Sequence, residues 1–182
     1  MLSELQKRKL TVLFHHHDMD NDGYLAKDDY EEYARRICKA LGLLPGSPEH
    51  EAVYAQTLAA WDTDVLRAFD RDGDNRVSLE EHLEAYDVSI NDPALHNRLA
   101  TEYAKSVLQL WDQDADGSLS SAEYAALLGC YGVSEKAARE AFGHLDGDGD
   151  GYLSTEECLK AIEEFHFSDD PDAPGNWLLG PY

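Results

Sequence analysis

The segment Asp112–Glu123, DQDADGSLSSAE, decides how the rest of the chain is read. It carries Asp at its first, third and fifth positions, Gly at its sixth, Leu at its eighth and Glu at its twelfth. The arrangement recurs in DMDNDGYLAKDD (Asp18–Asp29), DRDGDNRVSLEE (Asp70–Glu81) and DGDGDGYLSTEE (Asp146–Glu157). Each copy repeats the three aspartates and has an aliphatic residue at position 8: Leu25, Val77, Leu119 and Leu153. One match arises easily by chance, whereas four in register form an internal repeat that is read before any single residue.

The flanks repeat as well. Before the segments, apolar residues stand at helical spacing: Leu10, Leu13 and Phe14; Val65, Leu66 and Phe69; Val107, Leu108 and Trp111; Phe142 and Leu145. After them the spacing returns with Tyr30, Tyr33, Ala34 and Ile37; Ala85 and Tyr86; Tyr124, Leu127, Leu128 and Tyr131; Ala161, Ile162 and Phe165. Steps of three and four mark one buried helical face. Each unit is therefore helix, acidic loop, helix, and the apolar stripes must pack on one another.

The loop chemistry points to a hard dication. An ion of calcium size takes six to eight oxygens at about 2.3–2.6 Å, and alternating aspartates on a curling loop aim carboxylates at one point. Position 7 contributes its backbone carbonyl, so its side chain is free: Tyr24, Arg76, Ser118 and Tyr152. Position 9 acts through water (Ala26, Ser78, Ser120 and Ser154), and a Glu at position 12 closes the sphere with two oxygens. Position 6 turns sharply, which favours Gly. This is the EF-hand loop pattern. The expected ligands are Asp18, Asp20, Asp22, Tyr24 and Asp29; Asp70, Asp72, Asp74, Arg76 and Glu81; Asp112, Asp114, Asp116, Ser118 and Glu123; and Asp146, Asp148, Asp150, Tyr152 and Glu157.

The loops are not equivalent. Loops 3 and 4 match at every diagnostic position, with Gly117 and Glu123, and Gly151 and Glu157. Loop 2 has Asn75 in place of Gly, and Asn is the next most tolerant of a left-handed backbone. Arg71 and Arg76 bring positive charge to this loop and are expected to weaken it. Loop 1 ends in Asp29, one methylene short of Glu, which shifts it toward magnesium or weaker calcium binding. Three to four calcium ions are expected, with magnesium competing at the first loop.

Among the 182 residues, 37 Asp+Glu stand against 15 Lys+Arg, for a formal charge of −22. A nucleic-acid binder or a polybasic lipid anchor needs the opposite sign. A hydrophobic fraction of 43% is too rich for a disordered acidic chain. No run is apolar enough to span a bilayer, and Lys7, Arg8 and Lys9 interrupt a start that is not read as a signal peptide. Cys38, Cys130 and Cys158 are odd in number and widely separated, which reads as reduced thiols in the cytoplasm. His15, His16 and His17 are consecutive, so on a helix they diverge and do not face one metal. No nucleophile elbow, phosphate loop or zinc helix is present, so no enzyme is expected.

The fold expected is all-α: four EF-hand helix-loop-helix units in two paired lobes packed into a compact globule. GLLPGSPEH (Gly42–His50) breaks the chain and a further helix, Glu51 to Asp62, follows it. A second break around Asn91, Asp92 and Pro93 marks the border between halves. Residues 1–90 then hold hands 1 and 2, residues 91–168 hold hands 3 and 4, and residues 169–182 form a tail. In the tail, Trp177, Leu178 and Leu179 form an apolar plug, expected to dock back into a groove between the halves.

With the four loops, AEYAALL after loop 3 and EEFHF before the tail, the chain resembles the sarcoplasmic calcium-binding proteins, and among them the bacterial calerythrin-like members. The resemblance implies a compact all-helical protein with tightly packed halves and an intracellular calcium-buffer or transport role. Many members have lost the ligands of one hand, often the second. Here hand 2 keeps Asp70, Asp72, Asp74 and Glu81, which leaves open whether three or four ions bind. His144, His166, Trp111, Trp177 and Tyr182 are loosely similar to the cavity lining of the calcium-regulated photoproteins, and core packing is the preferred use of those rings. The runner-up function is a calcium sensor that exposes a partner-binding surface. Met1 and Met19 are the only methionines, which argues against the Met-rich groove of such sensors. A monomer is expected, and no protein target is indicated.

Overall fold

A computed structural model of the chain describes residues 1–89, 101 and 105–181. The border expected around Asn91, Asp92 and Pro93 lies outside the described residues, as does Tyr182. The helices are α1 (Glu4–His17), α2 (Lys27–Ala40), α3 (Pro48–Ala60), α4 (Leu66–Phe69), α5 (Leu79–Ser89), α6 (105–111), α7 (Ser121–Cys130), α8 (Glu135–Leu145) and α9 (Thr155–Phe167). Short strands β1 (Tyr24–Leu25), β2 (Val77–Ser78), β3 (Ser118–Ser120) and β4 (Tyr152–Ser154) lie inside the four loops. The chain divides into two units, one of Leu13–Tyr86 and one of Met1–Val12 with Asp87–Tyr182.

In the Leu13–Tyr86 unit, β1 and β2 pair antiparallel with Leu25 opposite Val77. These two position-8 side chains join Phe14, Tyr30 and Trp61 in the buried core, with Leu58, Val65, Leu66 and Phe69 packed around them. The recurrent aliphatic at position 8 is thus a cross-strand core pair, which locks two loops back to back. On α2 the buried residues Tyr30, Ala34, Ile37 and Cys38 form a single stripe, as the spacing predicts.

One helix differs from expectation at both ends. The third helix starts at Pro48 and not Glu51, because the Ser47 side chain accepts the His50 N–H at 3.2 Å and Pro48 occupies the first turn, where a missing N–H costs nothing. It does not stop at Asp62. A π-turn over Trp61–Val65, closed by the Leu66 N–H on the Trp61 carbonyl, carries it into α4. The extra residue in that turn re-phases the apolar face. Trp61 is buried beside Tyr30, their ring centroids 5.2 Å apart.

In the other unit, β3 and β4 pair antiparallel with Leu119 opposite Leu153. Ser134 caps α8 by accepting the Ala137 N–H. The tail turns through a 3-10 helix at Pro174–Trp177 and lies on α8 and α9. The Tyr124 hydroxyl donates to the Leu178 carbonyl at 2.8 Å, and Trp177 stacks on His144 at 4.0 Å. Leu178 and Leu179 line an interior space of about 30 Å³ with Tyr124, Leu127 and Ile162. That space is walled almost wholly by apolar side chains, so the docked tail leaves little of this interior unfilled.

The three cysteines are buried, and none forms a disulfide among the described residues. Among the described residues, no helix is long and apolar enough to cross a membrane.

Candidate metal centres

All four loops share one hydrogen-bond scheme. The N–H of position 6 donates to the position-1 aspartate, from Gly23 to Asp18, Asn75 to Asp70, Gly117 to Asp112 and Gly151 to Asp146, over 2.9–3.1 Å. The N–H of position 5 reaches the position-3 carboxylate, and the N–H of position 7 reaches the position-5 carboxylate. Asp20, Asp72, Asp114 and Asp148 are the acceptors at position 3; Asp22, Asp74, Asp116 and Asp150 are those at position 5. Each curl of backbone thus aims donors at clustered anions, which offsets part of their mutual repulsion and fixes their direction.

The curl requires two left-handed residues per loop. Position 6 has φ 90° at Gly23, 65° at Asn75, 89° at Gly117 and 89° at Gly151, so Asn75 adopts the turn anticipated for it. Position 4 is also left-handed: Asn21 at 61°, Gly73 at 80°, Ala115 at 58° and Gly149 at 74°. Sequence reading overlooked that position. The Asn and Gly choices at these two sites are the available signal, and Ala115 breaks the pattern at a steric cost.

Position 12 closes each loop. Glu81 accepts the N–H groups of Arg71 and Ser78, Glu123 those of Gln113 and Ser120, and Glu157 those of Gly147 and Ser154. The serine hydroxyl at position 9 in turn accepts the N–H of the glutamate, making a capping box at the start of the exit helix. Position 9 therefore has a structural task beside the water-mediated one inferred from sequence. Burial pushes the Glu81 and Glu157 carboxyls up, but the N–H groups aimed at them outweigh it and hold both below the usual range.

Loop 1 departs from this. Asp29 accepts the Met19 and Ala26 N–H groups at 2.7 and 2.8 Å, but Ala26 has no hydroxyl to complete the box. Asp29 is 3% exposed, and burial raises its pKa against those same donors. In loops 2, 3 and 4, carboxylate oxygens of positions 1, 3 and 12 lie within 4.8 Å of one another: Asp70, Asp72 and Glu81; Asp112, Asp114 and Glu123; Asp146, Asp148 and Glu157. In loop 1 the group within that distance is Asp18, Asp20 and Asp22, and Asp29 stands outside it. At loop 3 the crowding shows in Asp114, whose pKa is raised by burial and by Asp116, Glu123 and Asp112. The donors are anionic oxygens converging on one point, which suits a hard dication such as calcium.

The two arginines of loop 2 diverge. The Arg71 guanidinium turns away to Glu84 at 2.5 Å, while Arg76 clasps Asp74 at 3.0 Å. The histidine run diverges as expected for a helix: His15 is exposed, and His17 lies against Tyr30 and Tyr33. Burial, with His17 and His15 nearby, holds His16 down to about 4.

The comparisons agree with this geometry. An EF-hand domain-pair model matches residues 1–37, and an EF-hand model matches residues 63–81 and 138–157. Calerythrin of Saccharopolyspora erythraea is 28% identical over 92% of this chain and 95% of its own length. A probable calcium-binding protein of rice, CML29, is 31% identical over 81% of this chain and 77% of its own. Among solved structures, a Streptomyces coelicolor calcium-binding protein superposes with a TM-score of 0.72 at 28% identity, covering 91% of this chain and 99% of that one. Four oxygen-lined loops on paired helical hands, together with similarity to calcium-binding relatives over most of both chains, place this protein in the EF-hand family of calcium-binding proteins, in its calerythrin and sarcoplasmic calcium-binding protein-like group.

Proposed function

We propose that the chain is a cytoplasmic calcium buffer. Loops 2, 3 and 4 hold calcium through Asp70, Asp72, Asp74, the Arg76 carbonyl and Glu81; Asp112, Asp114, Asp116, the Ser118 carbonyl and Glu123; and Asp146, Asp148, Asp150, the Tyr152 carbonyl and Glu157. Loop 1, with Asp18, Asp20, Asp22, the Tyr24 carbonyl and Asp29, holds calcium weakly and admits magnesium.

The observation that carries buffer over sensor is the tail. A sensor presents the apolar cleft of a hand pair to its target. Here Leu178 and Leu179 fill the interior of hands 3 and 4 and leave about 30 Å³ free. Met1 is fully exposed. Three buried cysteines without a disulfide support a reducing compartment.

Calcium titration followed by calorimetry and by a hydrophobic dye tests the reading. Heat at three or four sites with flat dye fluorescence is expected, and a strong calcium-induced rise in dye signal would assign a sensor instead. Because dications bind the folded loops, the melting temperature should climb with calcium; one site at a hundredfold excess contributes about 2.7 kcal/mol. Equal melting with calcium and with chelator would refute calcium binding itself.

A further inference from the structure

The sequence treats Arg71 and Arg76 alike, as two positive charges near loop 2, but the fold gives them different work. Arg71 points its guanidinium at Glu84 on α5, outside the loop. Arg76 stays inside. Its Nη2 and Nε donate to Asp74 Oδ2 at 3.0 and 3.3 Å, while its own backbone N–H donates to Oδ1 of the same carboxylate at 2.9 Å. The guanidinium carbon also lies 4.0 Å from the ring centroid of Tyr24, the position-7 residue of loop 1. The β1–β2 register places the two loops edge to edge and brings that ring within reach. Asp22 of loop 1 is the next carboxylate Arg76 feels. Hands 3 and 4 have no cation at the equivalent positions, which are Ser118 and Tyr152. There the Ser118 hydroxyl, a neutral group, bonds Asp116.

We propose that Arg76 is a built-in competitor for the divalent ion at loop 2. Clasped on the ligand Asp74 and seated on Tyr24, it lowers the affinity of loop 2 below that of loops 3 and 4 and links loop 2 to loop 1. A dication drawing on Asp74 must share that carboxylate with a guanidinium or displace it, and like charges at one carboxylate repel. Displacement lifts the guanidinium from the Tyr24 ring, so filling loop 2 is felt in loop 1. The inference rests on the occupation of loop 2 proposed above.

The test is calorimetric calcium titration of the full chain at low ionic strength, comparing wild type with Arg76→Gln, Arg71→Gln and Glu81→Gln. Arg76→Gln should tighten one site about two- to fivefold, the range of an exposed ion pair. Arg71→Gln should move it by less than half as much on the logarithmic scale. In the wild type, the Arg76 Nε–H resonance should shift at the titration step that Glu81→Gln abolishes. An unchanged or weaker site in Arg76→Gln overturns the inference, and so does an equal gain in Arg71→Gln, which would mean bulk charge alone. If Glu81→Gln removes no site, loop 2 holds no ion and the underlying assignment fails first.

Discussion

The Lys9 ammonium donates a 2.8 Å hydrogen bond to Oδ1 of Asn176, and both side chains are closed off from water, at 0% and 1% exposure. The same ammonium donates to the carbonyls of Glu164 and Ser168 at 2.8 and 2.9 Å, at the C-terminal end of α9. Asn176 in turn donates to the carbonyls of Asp170 and Pro171. One lysine of α1 thereby satisfies the helix end and the turn that brings the tail back.

Lys9→Met should destabilise the calcium-loaded protein by about 1–3 kcal/mol, because one buried and two half-buried acceptors lose a donor. Asn176→Ala should cost a similar amount, and the double variant should cost less than the sum of the two. Denaturant melts of the four proteins supply the cycle; additive losses would mean the two residues act independently.

Lys9 also sets a pH dependence. Burial lowers its pKa to about 8, against the nearby charges of Glu164 and Asp169. Between pH 8 and the ordinary lysine range near 10.5, the unfolded chain keeps a proton that the folded chain has released. Stability from this group therefore rises as pH increases across that window. The difference in unfolding free energy between wild type and Lys9→Met, measured at pH 7.5 and pH 10, should shift in favour of wild type; a difference that stays constant would contradict it.

Gly175 seats the tail. A Cβ there would lie 2.5 Å from the Glu164 Cβ and 2.6 Å from the Ala161 carbonyl oxygen on α9. The Gly175 N–H donates to Glu164 Oε2 at 2.8 Å. Gly175→Ala should lower stability by about 1–3 kcal/mol, and deletion of residues 172–182 should lower the melting temperature further with calcium present. Wild-type melting in both would sink the docked tail.

Asp29→Glu should restore the reach of position 12 in loop 1 and raise its calcium affinity about tenfold, roughly 1.4 kcal/mol. Its preference over magnesium should rise with it. Calorimetry in competing magnesium reads both, and a site left unchanged would show that chain length at position 12 is not what limits loop 1.

Ala115→Gly should relieve a left-handed alanine and stabilise the ion-free protein by about 0.5–1 kcal/mol. Thermal melts in chelator measure it. A loss would mean that the backbone at Ala115 has room to relax out of that conformation.

Much of the site was legible because loop chemistry is local. Asp at positions 1, 3 and 5 is needed by any ion of this kind, and Asn75 announces its own positive φ. The start of α3 was missed because Pro48 reads as a breaker until Ser47 is seen as its cap. Its continuation past Asp62 was missed because a π-turn leaves no periodic trace. The left-handed position 4 was missed because Ala115 hides it.

Lys9, Gly175 and Asn176 were silent for another reason. Their meaning lies in partners far along the chain, and periodicity carries no information on which distant backbone a lysine will meet. From the sequence alone came four oxygen cages and the helices that flank them, since both follow from contacts within a dozen residues. Only the tertiary structure decided that Arg76, and not Arg71, sits on a carboxylate of the loop, and that the tail fills the cleft of hands 3 and 4. Those outcomes depend on strand register and close backbone approach, which exist only once distant segments have packed.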